Sequence, residues 1–206
     1  MNIKQKLRNL LTEKSFNEFN VDDILTDKYV KNHIESGESD ILIHWYQQQY
    51  DMEDVDEDEI TSSEEYFNFI KDELENHLYT AMDNIYDKID YHSDKIRLYR
   101  AMTVDDNWLN HLKKEGKRLG IFWSYESSGA ETHWGDNSKN NTAIIEIEID
   151  EKYVNWVETL QLNSHPNYHE EQEIRLFKNT PIKIERIIIN DEEVDISEIQ
   201  DKIFYA

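Results

Sequence analysis

Three polar features of the sequence lie on or beside apolar segments. Arg100 follows Ile96 and Leu98 at alternate positions, Ser124 follows an apolar run, and Glu173 opens the segment 173–177. Alternate residues of a strand face the same side, so Arg100 is predicted to emerge from the apolar face of its strand. A guanidinium in that position needs a carboxylate partner or an anionic ligand. The sequence therefore predicts either a buried Arg–Glu ion pair or an anion-binding site.

A pair of carboxylates, Glu171 and Glu173, stands at the start of the last of these segments. Strand alternation predicts that both lie on one face. Two carboxylates in close proximity raise the pKa of one of them, and a raised pKa suits a general base.

The acidic run Asp51–Glu59 invites a calcium interpretation. Asp54, Asp56 and Asp58 fall at positions 1, 3 and 5 of an EF-hand loop, and Glu65 falls at position 12. However, Glu59 occupies the position where a glycine makes the sharp turn of such a loop. We therefore favour a solvated acidic loop or a nucleic-acid-mimicking face, and predict no metal site.

Two histidines four residues apart, His165 and His169, raise the question of a metal site again. Pro166 lies between them, so they are not expected to share a helical face, and a surface loop with two histidines is predicted. The chain has no cysteine and no Gly-x-Ser-x-Gly segment, which excludes a thiolate nucleophile and a serine elbow.

The elements that position these residues change in type along the chain. The spacing of apolar residues predicts helices around 3–11 and 66–78, the second capped by Ser62 or Ser63 with Glu65 in a capping box. A helix over 105–115 is predicted between Thr103 as N-cap and Gly116 as stop. Strands are predicted at 96–102, 119–125, 143–149, 156–162, 173–177 and 182–189. The fold class is thus α+β, with an acidic helical region at 1–92 and an antiparallel domain at 93–206.

The chain has 206 residues, with 45 acidic and 22 basic side chains and a net charge of −23. Residues 1–90 hold 23 acidic and 8 basic side chains, so the acidity is concentrated there. A surface this negative repels phosphates and anionic membranes, and it attracts basic proteins. This charge predicts that the protein binds neither nucleic acid directly nor membranes. We also expect it to be cytoplasmic, because there is no signal peptide and no run of apolar residues as long as a bilayer span.

The three polar features resemble, in order, the motifs of mono-ADP-ribosyltransferases of the Arg–Ser–Glu class, the cholera- and binary-toxin-like group. The segment Leu98-Tyr99-Arg100-Ala101 is similar to their Leu-Tyr/Phe-Arg-Gly strand, with Ala in place of Gly. The segment Phe122-Trp123-Ser124 is similar to their Ser-Thr-Ser strand, although Tyr-Glu follows where Thr-Ser is common. The segment Glu171-Gln172-Glu173 is similar to their Glu-x-Glu strand, and the spacings between Arg100, Ser124 and Glu173 are 24 and 49 residues. The resemblance covers about residues 95–190.

The resemblance implies an ADP-ribosyltransferase-like split β-sandwich that binds NAD in a cleft and cleaves its nicotinamide–ribose bond without a metal. It implies that Glu173 is the catalytic carboxylate near the developing positive charge and also holds the ribose. Arg100 would hold the phosphate and ribose region of NAD, Ser124 would orient Glu173, and Glu171 would position an acceptor guanidinium.

Further site residues follow from the same resemblance. The aromatic residues Tyr99, Trp123 and Tyr125 would lie near the cofactor, whereas core packing is expected for Phe122. Tyr168 and His169 belong to the loop that recognises the acceptor in the related enzymes, so they are predicted to recognise the substrate together with Glu171.

These observations predict an NAD-dependent mono-ADP-ribosyltransferase that modifies a basic protein, at arginine, as a phage effector or intracellular toxin. Its acceptor would be a basic protein such as a nucleic-acid-binding machine. An alternative is a non-enzymatic acidic inhibitor that occupies the nucleic-acid groove of such a protein. A third interpretation keeps the transferase fold but directs it to a nucleobase or small molecule, because a fold does not determine the acceptor.

Overall fold

The computed structural model describes residues 19–36, 40–92, 95–114, 118–132, 141–165 and 172–206. The helices are α1 (Val21–Ile24), α2 (Asp27–Glu35), α3 (Asp40–Gln49), α4 (Glu57–Thr61), α5 (Glu64–Lys88), α6 (Trp108–Lys114), α7 (Ser127–Thr132) and α8 (Trp156–Asn163). The strands are β1 (Tyr91–His92), β2 (Lys95–Val104), β3 (Phe122–Ser124), β4 (Asn141–Asp150), β5 (Glu173–Arg175), β6 (Pro181–Ile182), β7 (Ile184–Ile189), β8 (Glu192–Glu193) and β9 (Phe204–Tyr205). The helix predicted at 3–11 lies outside the described residues.

The main sheet has the strand order β5-β3-β2-β4-β7-β8, with β1 added to β2, and its neighbouring strands are antiparallel. Strands β6 and β9 form a separate antiparallel pair. The mixed helix and sheet content confirms the predicted α+β class.

One face of the sheet carries the core. Ile96 and Leu98 of β2 pair with Ile149 and Ile147 of β4, and all four side chains are buried. The opposite face of β2 and β4 carries Arg97, Glu146 and Glu148, together with the apolar pair Ala101 and Ile144. The alternation seen in the sequence therefore sets which face of the sheet is covered.

The helical layer is organised by α5, whose buried residues recur at helical spacing (Tyr66, Ile70, Leu74, Leu78, Ala81 and Ile85). Its N-cap is Ser63, whose Oγ accepts a hydrogen bond from the Tyr66 N–H at 3.1 Å. Tyr66 is thus the third helical residue, so the predicted capping box with Glu65 is wrong. Helix α5 packs on α2 and α8, and buried residues of helices and sheet belong to one core.

The segment predicted as a strand at 156–162 is helix α8. Its buried residues are Trp156, Thr159, Leu160 and Asn163, which follow the helical period, and the Asn155 side chain caps the helix by accepting from the Glu158 N–H. The apolar and polar residues of this short segment also alternate, and that alternation suggested a strand. The two patterns are indistinguishable over so few residues.

The boundaries of two further elements differ from those predicted. Helix α6 begins at Trp108 instead of residue 105, and Thr103 lies within β2 instead of capping the helix. Strand β3 begins at Phe122, because Gly120 has a positive φ of 88° that interrupts the extended backbone. In the described part of the chain, no helix combines the length and apolarity needed to span a bilayer.

Candidate functional site

Ser124 and Glu173 are direct cross-strand neighbours at one end of the sheet. Strand β3 pairs with β5 so that Ser124 faces Glu173, and with β2 so that Ser124 faces Tyr99. Paired residues point to the same face, so Tyr99, Ser124 and Glu173 form a row across three strands. The row continues through Glu146 of β4 to Arg186 of β7. Three residues predicted from separate parts of the sequence are thus brought together.

Arg100 emerges from the apolar face of β2, as its alternation with Ile96 and Leu98 predicted. The guanidinium Nη1 donates a hydrogen bond to the carbonyl oxygen of Phe122 at 2.5 Å. Burial lowers the pKa of Arg100, and the negative charge of Glu173 partly opposes this by raising it. Glu173 belongs to the row of Tyr99, so its side chain and that of Arg100 leave the sheet on opposite faces.

The guanidinium of Arg100 is not neutralised by the protein in the described ranges. It forms no ion pair with a carboxylate there, and its Nε is buried without a hydrogen-bond partner. The predicted alternative of a buried Arg–Glu ion pair is therefore not what the described residues form. A partly desolvated guanidinium with unused donors is suited to an anionic ligand such as a phosphate.

Gly120 makes room for this guanidinium. A Cβ at this position would lie 3.1 Å from Nη1 of Arg100 and 3.2 Å from its Cζ, and φ is 88°. The positive φ favours glycine, and a Cβ would in addition push the guanidinium away by a few tenths of an ångström. The sequence signal was a single glycine just before an apolar segment, which by itself indicates only a turn or a bulge.

The hydroxyl of Ser124 makes local hydrogen bonds. It donates to the Glu126 carbonyl oxygen at 2.8 Å and accepts from the Glu126 N–H at 3.2 Å. This turn fixes the side chain beside Glu173, but the hydrogen of the hydroxyl is directed to Glu126. The orientation of Glu173 by Ser124 stays a prediction.

Arg175 was missed as a site residue, although it lies two positions after Glu173 and on the same face of β5. Its Nε is 3.4 Å from Oε1 of Glu173, and its Nη1 is 3.7 Å from a carboxylate oxygen of Glu158. The guanidinium also lies over the ring of Phe122, with Cζ 4.7 Å from the ring centroid. Arg175 therefore holds the Glu173 carboxylate beside an aromatic ring.

The two aromatic residues before Ser124 have exchanged their expected environments. Phe122 is 41% exposed, so the prediction that it packs in the core is wrong. Trp123, expected near the cofactor, is 2% exposed and donates from Nε1 to the Gly120 carbonyl oxygen at 3.0 Å. The ring available to a ligand at this edge is that of Phe122.

The remaining predicted residues, Glu171, Tyr168 and His169, lie outside the described residues. Among the described residues, β5 begins at Glu173, and its extended backbone is interrupted at Gln172, which has a positive φ of 54°. The carboxylate pair stays a prediction.

His165 is buried at 4% exposure, so the predicted surface loop with two histidines is wrong at this position. Its ring meets that of His33 edge to face, with 4.7 Å between centroids. In the acidic run, Asp56 caps α4 by accepting a hydrogen bond from the Asp58 N–H. No cluster of three or more potential metal-ligating side chains occurs where the structure describes the chain.

Tyr125, next to Ser124, makes alkaline stability a test of this local structure. Burial and the charge of Glu126 raise its pKa to about 12, against about 10 in an unfolded chain. As pH rises from 10 to 12 the unfolded state loses this proton first, so the folded state loses stability over that range. Between pH 9 and pH 11 the wild-type protein should lose about 1 kcal/mol more than Tyr125→Phe in urea unfolding. Equal losses in the two proteins would show that Tyr125 is not buried as described.

Comparison with protein-family models, with curated proteins and with solved structures gave no match to this chain.

Proposed function

We propose that this protein is an NAD-dependent mono-ADP-ribosyltransferase that modifies an arginine of a basic protein, as a phage effector or intracellular toxin. The observation that carries the proposal is Arg100. Its guanidinium is partly removed from water and lacks a carboxylate partner among the described residues, and β3 lies between its strand and that of Glu173. An anion-binding cation and a carboxylate on nearby strands are groups that cleavage of a phosphate-bearing, positively charged glycosyl donor uses.

NAD fits the available groups. The partly exposed guanidinium of Arg100 suits the pyrophosphate, and the exposed ring of Phe122 offers a surface for stacking. NAD would supply the ADP-ribosyl group that is transferred, and nicotinamide would be the leaving group. The Glu173 carboxylate would stabilise the positive charge that develops at the ribose as the nicotinamide bond breaks.

The acidic surface supports a basic acceptor. NAD is itself an anion, so a net charge of −23 does not assist its binding beyond the local effect of Arg100. The same charge accelerates the encounter with a basic protein and disfavours acidic ones. The surface would thus select the acceptor, and Arg100 and Glu173 would act on the donor.

The test is a transfer assay with purified protein, NAD labelled on its adenylate and lysates of candidate host cells. Wild type and Glu173→Gln are compared on a denaturing gel. A discrete band that appears only with the wild type is expected, and mass spectrometry of that band then identifies the modified residue. Label on a nucleic acid or metabolite instead of a protein would support a different acceptor for the same reaction. Absence of label from every fraction would overturn the proposal.

A second candidate function is non-enzymatic inhibition by an acidic surface that imitates nucleic acid. The observation that favours it is the outer face of α5, where Glu64, Glu65, Asp72, Asp83 and Asp87 are exposed. The two lysines of this helix do not neutralise that face, because each pairs with another element. Lys71 lies 4.0 Å from Asp27, and Lys88 lies 3.3 Å from Glu126.

The two functions are separated by which change abolishes inhibition of a host process. An acidic mimic keeps its effect in Glu173→Gln and loses it when the carboxylates of Asp51–Glu59 and of the exposed face of α5 are replaced by amides. A transferase shows the reverse.

A further inference from the structure

Strand β5, which carries Glu173, lies at the edge of the sheet. Among the described strands β3 pairs with it, and on its outer side Leu176 forms a β-bridge with Val154 of the segment before α8. An edge strand of three residues is weakly held by its ladder alone. The position of the Glu173 carboxylate therefore depends on what covers this edge.

Helix α8 covers it with hydrogen bonds. Thr159 Oγ1 accepts from the Arg175 N–H at 2.9 Å, and Asn163 Nδ2 donates to the Glu173 carbonyl oxygen at 2.7 Å. The Asn155 N–H donates to the Arg175 carbonyl oxygen at 2.7 Å. Thr159 and Asn163 are four residues apart and lie on one face of α8, whereas Asn155 is the N-cap that precedes the helix. They contact the strand where a neighbouring strand would pair.

Both side chains are shielded from water, since Thr159 is 0% and Asn163 is 2% exposed. Loss of either side-chain bond would leave a buried backbone group of β5 without a partner, and water could not replace it without opening the edge. We expect the strand to shift so that this backbone group can form another hydrogen bond. Displacement of a catalytic group by about 1 Å can cost about 100-fold in rate.

We propose that Thr159 and Asn163 are positioning residues for Glu173, and that α8 takes the place of the missing strand beside β5. Glu173 itself is the residue that would meet the substrate, so the catalytic part of this inference rests on the proposed function. Thr159 and Asn163 act only through the backbone of β5. The prediction is that their loss lowers turnover while NAD binding at Arg100 persists.

The experiment compares Thr159→Val, which keeps the shape but removes the acceptor, with Thr159→Ser, which restores it. Gln161→Leu is the matched control, because Gln161 lies on the same helix and its Nε2 donates to the Ile24 carbonyl oxygen instead of to β5. The readouts are kcat and KM for NAD cleavage, and hydrogen exchange at the Arg175 amide.

Thr159→Val should lower kcat by about 10-fold or more, change KM by about two-fold at most, and speed exchange at the Arg175 amide. Thr159→Ser should restore both, and Gln161→Leu should change neither. If Thr159→Val does not fold, Thr159→Ala provides the same comparison with a smaller side chain.

Normal kcat together with a protected Arg175 amide in Thr159→Val would overturn the proposal. Equal losses in Thr159→Val and Gln161→Leu would also overturn it, because they would reflect general destabilisation. A wild-type protein without NAD turnover would refute the proposed function and the catalytic role. The coverage of β5 by α8 would then be decided by amide exchange alone.

Discussion

Glu173→Gln is expected to slow NAD cleavage by about 1,000-fold while leaving the affinity for NAD nearly unchanged. A negative charge about 4 Å from a developing positive charge stabilises it by about 4 kcal/mol at an effective dielectric constant of 20, which corresponds to about 1,000-fold in rate. The amide keeps the shape of the side chain and one oxygen acceptor but has no charge. The loss should therefore appear in kcat and not in binding.

Single-turnover measurement of nicotinamide release and calorimetric binding of NAD separate these two effects. Glu146→Gln is the matched control, because Glu146 lies on the same sheet face and in the same row across the strands. Its carboxylate contacts Arg97 at 3.2 Å and not the proposed donor site. Similar rate losses in both variants would mean that general electrostatics, and not a specific role of Glu173, governs turnover.

Although both residues belong to β2, Arg100→Met is expected to lower the affinity for NAD, and Arg97→Met is expected to lower the free energy of unfolding. Arg100 lacks a carboxylate partner in the described chain, so its replacement should lower NAD affinity by about 10- to 100-fold and leave the free energy of unfolding unchanged or higher. Arg97 contacts the carboxylates of Asp90, Glu146 and Glu148 at 3.2–3.3 Å. Its replacement leaves three facing carboxylates, so about 1 kcal/mol of stability should be lost without an effect on NAD.

Urea unfolding and NAD titration of the two variants check this contrast. The stability lost in Arg97→Met should also recover in high salt, because screening weakens repulsion among partly exposed carboxylates. Destabilisation of Arg100→Met to the same degree as Arg97→Met would show that Arg100 is structural, and the anion site would lose its basis.

Alternation in the long strands was sufficient to predict where Arg100 emerges. Strands β2 and β4 run for ten residues each, and their ten registered pairs fix the faces on which Ile96 and Ile149 lie. Over that length the period of two has no competing interpretation. Short elements could not be assigned in this way. At α8, the helical period of the buried residues was indistinguishable from the alternation of a strand.

The site shows the same division between local and tertiary information. The prediction brought Ser124 and Glu173 together through a resemblance of order and spacing, and the register of β3 with β5 makes them neighbours. The predicted environments of Phe122 and Trp123 were the reverse of those observed. Strand β3 has only three residues, and the left-handed backbone at Gly120 just before it determines which side each residue faces. The contact of Arg175 with Phe122 and the bonds from α8 depend on packing between distant segments, so neither could be read from local pattern.

The contacts of α8 also limit which amino-acid substitutions the protein tolerates. On one side it bonds β5, and on the other the Tyr29 hydroxyl donates to its Gln161 carbonyl oxygen at 2.8 Å, while Gln161 reaches Ile24. Substitutions at either set of contacts would therefore disturb the position of α8. The exposed carboxylates of α5 lie outside these contacts, so substitutions there should leave the position of Glu173 unchanged. Substitutions should therefore be tolerated more readily on the outer helical surface than around α8.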